Sequence, residues 1–364
     1  MRSDILTHRQ RVRLALEHRT TDRIPFAFVC SGINRPAHEA LAEHLRRTRG
    51  TTVEEILRPL VDIKGLTPPY VGPALAEGTD CWGVHRSPVS YGADAYSEID
   101  HYPLAGAKTV ADVAAHRWPS PDWFDYADMP TVVSRLRADG DYCLMLANAN
   151  IFESSWYMRG FEQFFIDLML APDVAHAILG RVTDFFVEYV GRTLSAAPGE
   201  IDLVFTADDI GGQNGLLMSL AMWEQHLKPY HRRVNDVVHE HGAKVIYHSD
   251  GAVAEAVEGL IDMGIDVLQA LQFDAAGMDP ADLKTRFGDR LCFQGGVSVQ
   301  QTLPFKQPAD VRAEVRGLID TLGRDGGYIL GPSHAIQAGT PPQNILAMLD
   351  EAAGYYPPAR RSRS

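Results

Sequence analysis

The sequence predicts a closed (β/α)8 barrel of the α/β class, with an N-terminal helical extension and a Pro/Trp-rich insertion. Three features point to it. From residue 142 onward, apolar runs of five to seven residues alternate with helical patterns, as parallel strands with crossover helices do. The runs are Val-, Ile-, Leu- and Phe-rich with little alternation, the mark of strands buried on both faces. Polar side chains then collect after the ends of these runs, and in a barrel all those ends lie on one rim.

The elements follow in order. Thr7-His-Arg-Gln10 reads as a capping box that opens an amphipathic helix carrying Val12, Leu14, Ala15 and Leu16. Asp22-Arg-Ile-Pro25 turns into a short strand, Phe26-Ala-Phe-Val-Cys30. Residues 66–130, rich in Pro, Trp and Tyr, read as an insertion over the barrel. Six further strands are expected at Tyr142–Ala147, Ile201–Ala207, Ala243–His248, Ile265–Ala270, Arg290–Gln294 and Tyr328–Leu330. An eighth is expected between residues 60 and 95. Asp279-Pro280 and Thr340-Pro341 each place a capping residue before a proline at the first helical position. Residues 1–358 are read as one barrel domain and 359–364, with three arginines and two serines, as a disordered tail.

Composition bounds the function. The chain has 364 residues, 45% hydrophobic and 22% charged, which is globular composition. Its net charge of −13 repels nucleic acid and anionic membrane, so neither is an expected partner. The start of the chain is charged where a signal peptide needs an apolar run, and no stretch of about 20 apolar residues predicts a span. Four cysteines, Cys30, Cys81, Cys143 and Cys292, make no C-x-x-C pair and no disulfide framework. A cytoplasmic protein acting on a small molecule is expected.

The rim residues are Asn148, Asn150 and Glu153; Asp208 and Asp209; His248 and Asp250; Gln269 and Gln272; Gln294; and Ser333 and His334. Taken singly, Asp, Asn and Gly after a strand are also ordinary turn formers and helix caps. His248-Ser-Asp250-Gly251 is the sharpest local signal. Residues i and i+2 of a strand point the same way, so the imidazole and carboxylate can aim at one point, as two metal ligands must. The alternative is a strand ending in an Asp-Gly turn beside a hydrogen-bonded histidine. His334 on the last strand adds a second imidazole, and two histidines with one carboxylate suit zinc, or iron or manganese, with positions left open for substrate. Asp208, Asp209 and Glu153 are the candidate catalytic acids. Of the adjacent pair one is expected to reach the pocket, and if both stay near it their repulsion raises one pKa. Glu153 also sits where a carboxylate complements a helix dipole. Substrate contacts are assigned to Asn148, Asn150, Tyr247, Gln269, Gln294 and Arg35. Gly211-Gly-Gln-Asn-Gly215 lacks the spacing and lysine of a phosphate loop, and His239-Glu-His241-Gly242 reads as a helix C-terminus and not as a zinc motif.

These residues resemble the uroporphyrinogen decarboxylase superfamily. The opening Arg13-Leu-Ala-Leu-Glu-His-Arg19 with Asp22-Arg-Ile-Pro25, then Trp156-Tyr-Met-Arg-Gly-Phe-Glu162, Asp208-Asp-Ile-Gly211, Lys244-Val-Ile-Tyr-His-Ser-Asp-Gly251, Cys292-Phe-Gln-Gly-Gly296 and Gly327-Tyr-Ile-Leu-Gly-Pro-Ser-His334 carry the likeness. It is closest to the methyltransferase-like branch, which includes corrinoid-linked methanol, methylamine and aryl-O-demethylase methyltransferases. The resemblance implies a (β/α)8 barrel, often a homodimer, and a zinc site built from His-x-Cys and a distant Cys. His248 matches that histidine, while Asp250 and His334 stand at the two cysteine positions. The substitution of carboxylate and imidazole for thiolates leaves a harder Lewis acid, suited to oxygen-bearing substrates. The methyl acceptor implied is a corrinoid on a partner protein. Decarboxylation of a polycarboxylate, as in porphyrin biosynthesis, is the second reading. Those enzymes carry Arg-Gln-Ala-Gly-Arg after the first strand, whereas this chain has Cys30-Ser-Gly-Ile-Asn-Arg35, with one arginine. Their histidine near the last strand does match His334. A third reading is a barrel that binds a ligand without turning it over.

Overall fold

A computed structural model describes residues 6–29, 32–90 and 95–356. Among the described residues nine strands are present: β1 (Ile63–Leu66), β2 (His85–Ser90), β3 (Ala95–His101), β4 (Cys143–Asn150), β5 (Leu203–Ala207), β6 (Lys244–His248), β7 (Val267–Gln269), β8 (Cys292–Val297) and β9 (Tyr328–Pro332). Seven of them form one sheet in the order β1-β4-β5-β6-β7-β8-β9, every neighbouring pair parallel. Phe26 closes it, bridging in parallel to Val61 beside β1 and to Leu330 in β9. Asp62 N–H donates to Phe26 O at 2.8 Å, and Ala27 N–H donates to Leu330 O at 2.9 Å. The barrel is therefore complete, with the segment around Phe26 as its eighth stave. The strand expected between 60 and 95 is β1. The strand expected to run on to Cys30 shrinks to this bridge; Cys30 itself and the tail 359–364 lie outside the described residues.

Two apolar layers follow from strand alternation. Ile63, Met145, Leu203, Phe205, Ile246 and Val267 fill the barrel, whereas Leu144, Val204, Val245 and Leu268 face the surrounding helices. The helix His8–Leu16, with the expected Thr7/Gln10 capping box, seals the N-terminal end with Val12 and Ala15. Beneath it the fully buried Asp62 carboxylate accepts from Arg11 Nη1 at 2.7 Å, Arg23 Nη1 at 2.7 Å, His8 Nδ1 at 2.8 Å and Phe26 N at 2.8 Å.

Asp279 caps the helix Pro280–Phe287 as expected, and Lys228–Glu240 ends at His241. The last helix corrects its reading by one residue. It runs Pro342–Gly354 with Pro341 at its start, so Thr340 is not the cap. Within the insertion β2 and β3 pair antiparallel. Trp82 packs on Phe185 and Phe186 of the long helix Pro172–Ala196, ring centroids 4.9 and 5.7 Å away, so the insertion sits against the helix that leads into β5. Cys81, Cys143 and Cys292 are free thiols. Among the described residues no helix is long and apolar enough to cross a membrane.

Candidate active site at the strand ends

The alternation that fills the barrel decides which rim residues meet. Phe205 and Ala207 face inward, and so does the next residue of that parity, Asp209. Ile246 is followed in the same way by His248 and Asp250, and Val267 by Gln269. His248, Asp250 and His334 each offer a ligand atom, and the three atoms lie within 4.8 Å of one another. The expected convergence of β6 and the last strand is therefore realised. His334 Nε2 is 3.9 Å from Asp250 Oδ2, and the two imidazole centroids are 6.0 Å apart.

Neighbours hold this trio in place. His248 Nδ1–H donates to Gln269 Oε1, which leaves Nε2 facing Asp209 Oδ1 at 3.5 Å. Asp209 Oδ1 also accepts from Asp250 N at 2.7 Å, and Gln272 Oε1 from Gly251 N at 2.9 Å. Gly251 takes φ +82°, and a Cβ there would stand 2.6 Å from the Gly211 backbone. The Gly211-Gly212 pair thus serves as the close-packed seat of the Asp250 turn, consistent with its failure to match a phosphate loop. His248 is 8% exposed, whereas Asp209, His334 and Asp250 are 40%, 36% and 33% exposed, so one side of the cluster faces open solvent. Burial pushes the Asp250 carboxyl up. His248 and His334 pull it down, and Asp209 adds to the rise.

A second polar group stands beside it, on the helix Ile151–Arg159 that follows β4 directly. Glu153 Oε2 accepts from Asn150 Nδ2 at 2.6 Å and Oε1 from Tyr157 Oη at 3.1 Å. Its pKa is pushed up to about 7, by burial first and then by the charges of Asp208 and Asp209, against the pull of Asn150 and His248. Of Asp208, Asp209 and Glu153, the acid raised into the neutral range is therefore Glu153. Gln269 Nε2, Gln294 Oε1 and Asn150 Oδ1 are buried without a hydrogen-bond partner in the protein, polar atoms left over near the mouth of the barrel.

Three expected site residues are placed elsewhere. Asp208 has the outward parity of Val204 and Thr206. It is fully buried, accepts from Phe152 N at 2.6 Å and Glu153 N at 2.8 Å, and takes a hydrogen bond from His231 Nε2. It anchors the start of the Glu153 helix and has no access to a substrate, so the capping alternative holds for it. Tyr247 also points outward, packs edge-on against His231 and donates to Asp208 O at 3.2 Å. Arg35 opens the helix Arg35–Thr48 with its side chain 89% exposed and paired to Glu39. Gln294 is inward and donates to Ala27 O at 3.2 Å across the barrel. The backbone of Asn148 belongs to β4, and its side chain lies outside the described residues.

Two residues escaped the sequence reading. Tyr157 lies four residues after Glu153 on one helix, a spacing that places side chains together and was available as a signal. Arg86 of β2 stacks over the Tyr157 ring at 4.9 Å, and nothing in its local sequence announces that contact.

The fold and the site define a (β/α)8 barrel with its polar cluster at the C-terminal rim, including a His/Asp trio at ligand spacing. The chain belongs to the uroporphyrinogen decarboxylase (URO-D) family, whose model matches residues 137–355. A uroporphyrinogen decarboxylase of Azoarcus sp. is 26% identical over 187 residues, 49% of this chain and 47% of that one. A uroporphyrinogen decarboxylase of Anaeromyxobacter sp. is 25% identical over 261 residues, 68% and 69% of the two chains. The chain spans about half the length of most curated relatives it matches. A solved methyltransferase from Methanosarcina mazei shares the fold over 96% of this chain and 98% of its own, with a TM-score of 0.66 and 19% identity.

Proposed function

We propose that this protein is a metal-dependent enzyme that takes a methyl group from an oxygen of a small substrate and passes it to a corrinoid or similar acceptor carried by a partner protein. The convergence of His248, Asp250 and His334 carries this reading. Tetrahedral zinc with ligand bonds of about 2.1 Å holds its ligand atoms roughly 3.4 Å apart, so side-chain shifts of about 1–1.5 Å close the trio. Gln269 fixes the His248 tautomer as a metal-ligand histidine requires. Zinc suits this donor set, with iron and manganese as the other candidates. Bound there, such an ion supplies Lewis acidity to the substrate oxygen.

The protein's own groups do the rest. The carbon–oxygen bond breaks with its electron pair staying on oxygen, and Glu153 gives that oxygen its proton. The methyl carbon bonds to the acceptor's nucleophilic centre. Asn150 and Tyr157 hold the Glu153 carboxyl in position. Decarboxylation of a polycarboxylate suits this site less, because Asp209 and Asp250 bring acidic groups to it and Arg35 stays outside in solvent. A homodimer in the cytoplasm is part of the same proposal.

Metal analysis of protein purified without added metal tests it. About one equivalent of zinc or a similar ion is expected, falling to under about a tenth in His248→Ala. A metal-free wild type unchanged by that substitution overturns the metal reading. Loss of carboxyl groups from uroporphyrinogen, with no demethylation of methoxylated substrates, replaces it by the decarboxylase.

Glu153 also sets a pH dependence. Asp208, Asp209, His248, Asn150 and Tyr157 face it, and its acid form prevails below about 7. Turnover is expected to fall as pH rises through that value, and Glu153→Gln to abolish the limb. A flat pH–rate profile between 6 and 8, on the order of one unit either side of that pKa, removes Glu153 as the proton donor.

A further inference from the structure

A cavity of about 480 Å³ lies between the insertion, the end of β4 and the helices Ile151–Arg159 and Pro172–Ala196. That is in the lower half of the range for small-molecule sites, roughly 300–1,000 Å³. Its walls are largely flat and apolar, with Pro68, Trp82, Phe124, Phe185, Phe186 and Tyr189 among them. Asn150 and Tyr157 line it too, and both hold the Glu153 carboxyl. One end of the cavity therefore backs onto the proton donor.

The acids Glu153, Asp209 and Asp250 stand beyond the Asn150 and Tyr157 end, and Asp80 lines the cavity itself. Arg86, brought in by β2, is the one cationic side chain among the residues that line it. Its guanidinium stacks over Tyr157 at 4.9 Å and gives Nη1 to Asp80 Oδ2 at 2.7 Å. Asp80 is itself fixed by Trp82 N and Val84 N, both donating to Oδ1 at 3.0 Å, so it acts as the anchor that aims Arg86. A guanidinium has five N–H donors, and one bond to Asp80 leaves enough of them for a second carboxylate.

Resting on the functional reading above, we propose that this cavity holds the body of the substrate, and that the substrate is a small monocarboxylate with a flat, ring-sized apolar body. Arg86 takes the carboxylate, the aromatic walls take the ring, and the reacting oxygen is presented toward Glu153. Arg86 is then the residue that sets specificity.

Binding of benzoate and of its neutral isostere benzamide tests this, read by calorimetry and by Trp82 fluorescence on wild type, Arg86→Gln, Arg86→Lys and His248→Ala proteins. Wild type is expected to prefer benzoate by about tenfold to a hundredfold, the range for a charged hydrogen bond. Arg86→Gln is expected to lose that preference while keeping benzamide affinity, which also shows that the cavity is intact, and Arg86→Lys to restore part of it. His248→Ala is expected to keep the preference whether or not a metal reading holds. Equal affinity for both probes in wild type, no saturable binding of either, or a preference that survives in Arg86→Gln overturns the proposal. A preference lost in His248→Ala instead assigns the carboxylate to the metal cluster, which overturns the Arg86 site and leaves the metal reading standing.

Discussion

Replacing Asp62 with alanine is expected to cost about 3–5 kcal/mol of folding stability, the range for breaking a buried ion network by removing one partner. Asp62 is fully buried beneath the N-terminal helix, and Arg11 and Arg23, 1% and 3% exposed, share it. Its loss takes a shared carboxylate from two buried guanidinium groups, of which Arg11 keeps Asp22 and Arg23 keeps backbone carbonyls, and leaves without its acceptor the Phe26 amide that joins the first stave to the barrel. Burial alone would raise the Asp62 carboxyl, but His8, Arg23 and Arg11 outweigh it and hold the pKa below the usual value. The stabilisation is therefore complete above the unfolded-state pKa of about 3.9 and fades as pH falls through the lower folded value. Urea unfolding at pH 7 should show the full difference between wild type and Asp62→Ala, and the gap should narrow below about pH 4. A difference under about 1 kcal/mol at pH 7 would mean that the two arginines find water or other partners without the carboxylate.

Asp208→Ala is expected to act on stability and catalysis together. It strands the Phe152 and Glu153 amides and the His231 imidazole. Each buried group left without a partner costs about 1–3 kcal/mol, so a loss of roughly 3 kcal/mol or more is expected. The start of the Glu153 helix is no longer held, and a carboxyl misplaced by about 1 Å can lower kcat on the order of a hundredfold. Because Asp208 touches no substrate, KM should change little. Asp208→Asn removes the charge while its single amide oxygen keeps part of the cap that Oδ1 and Oδ2 make together, so comparison with Asp208→Ala sets the electrostatic effect apart from the loss of the cap. Asp208 is among the charges that raise Glu153, so removing that charge lowers the Glu153 pKa and moves the alkaline limb to lower pH. An Asp208→Asn enzyme whose limb stays at the wild-type pH would deny the electrostatic coupling. A raised KM with unchanged kcat in Asp208→Ala would deny the positioning role.

Strand alternation makes part of the site legible, including that only one of Asp208 and Asp209 reaches the pocket. Spacing i, i+2 along a strand predicts that His248 and Asp250 share a side, and the structure puts them there with His334. Applied to Tyr247 and Asp208, it places both on the helix-facing side, where they are found. Arg35 was attached to the site by its position after the first stave, but a long side chain at a helix start is free to turn to solvent and pair with Glu39. The expected pair of repelling acids exists in altered form. The raised carboxyl is Glu153, because a pKa depends on burial and on charges from other strands, neither of which is a property of neighbours in sequence.

Strand order, the barrel class and the His/Asp trio were written in short-range periodicity, because apolar burial on both faces of a strand leaves a pattern a few residues long. Only the tertiary structure decided that the stave around Phe26 closes the sheet, that Asp208 is an anchor while Glu153 is the acid whose pKa is raised, and that Arg86 of a distant hairpin faces an aromatic cavity. Those outcomes depend on which surfaces exclude water from one another across long stretches of chain, and no window of local sequence contains that information.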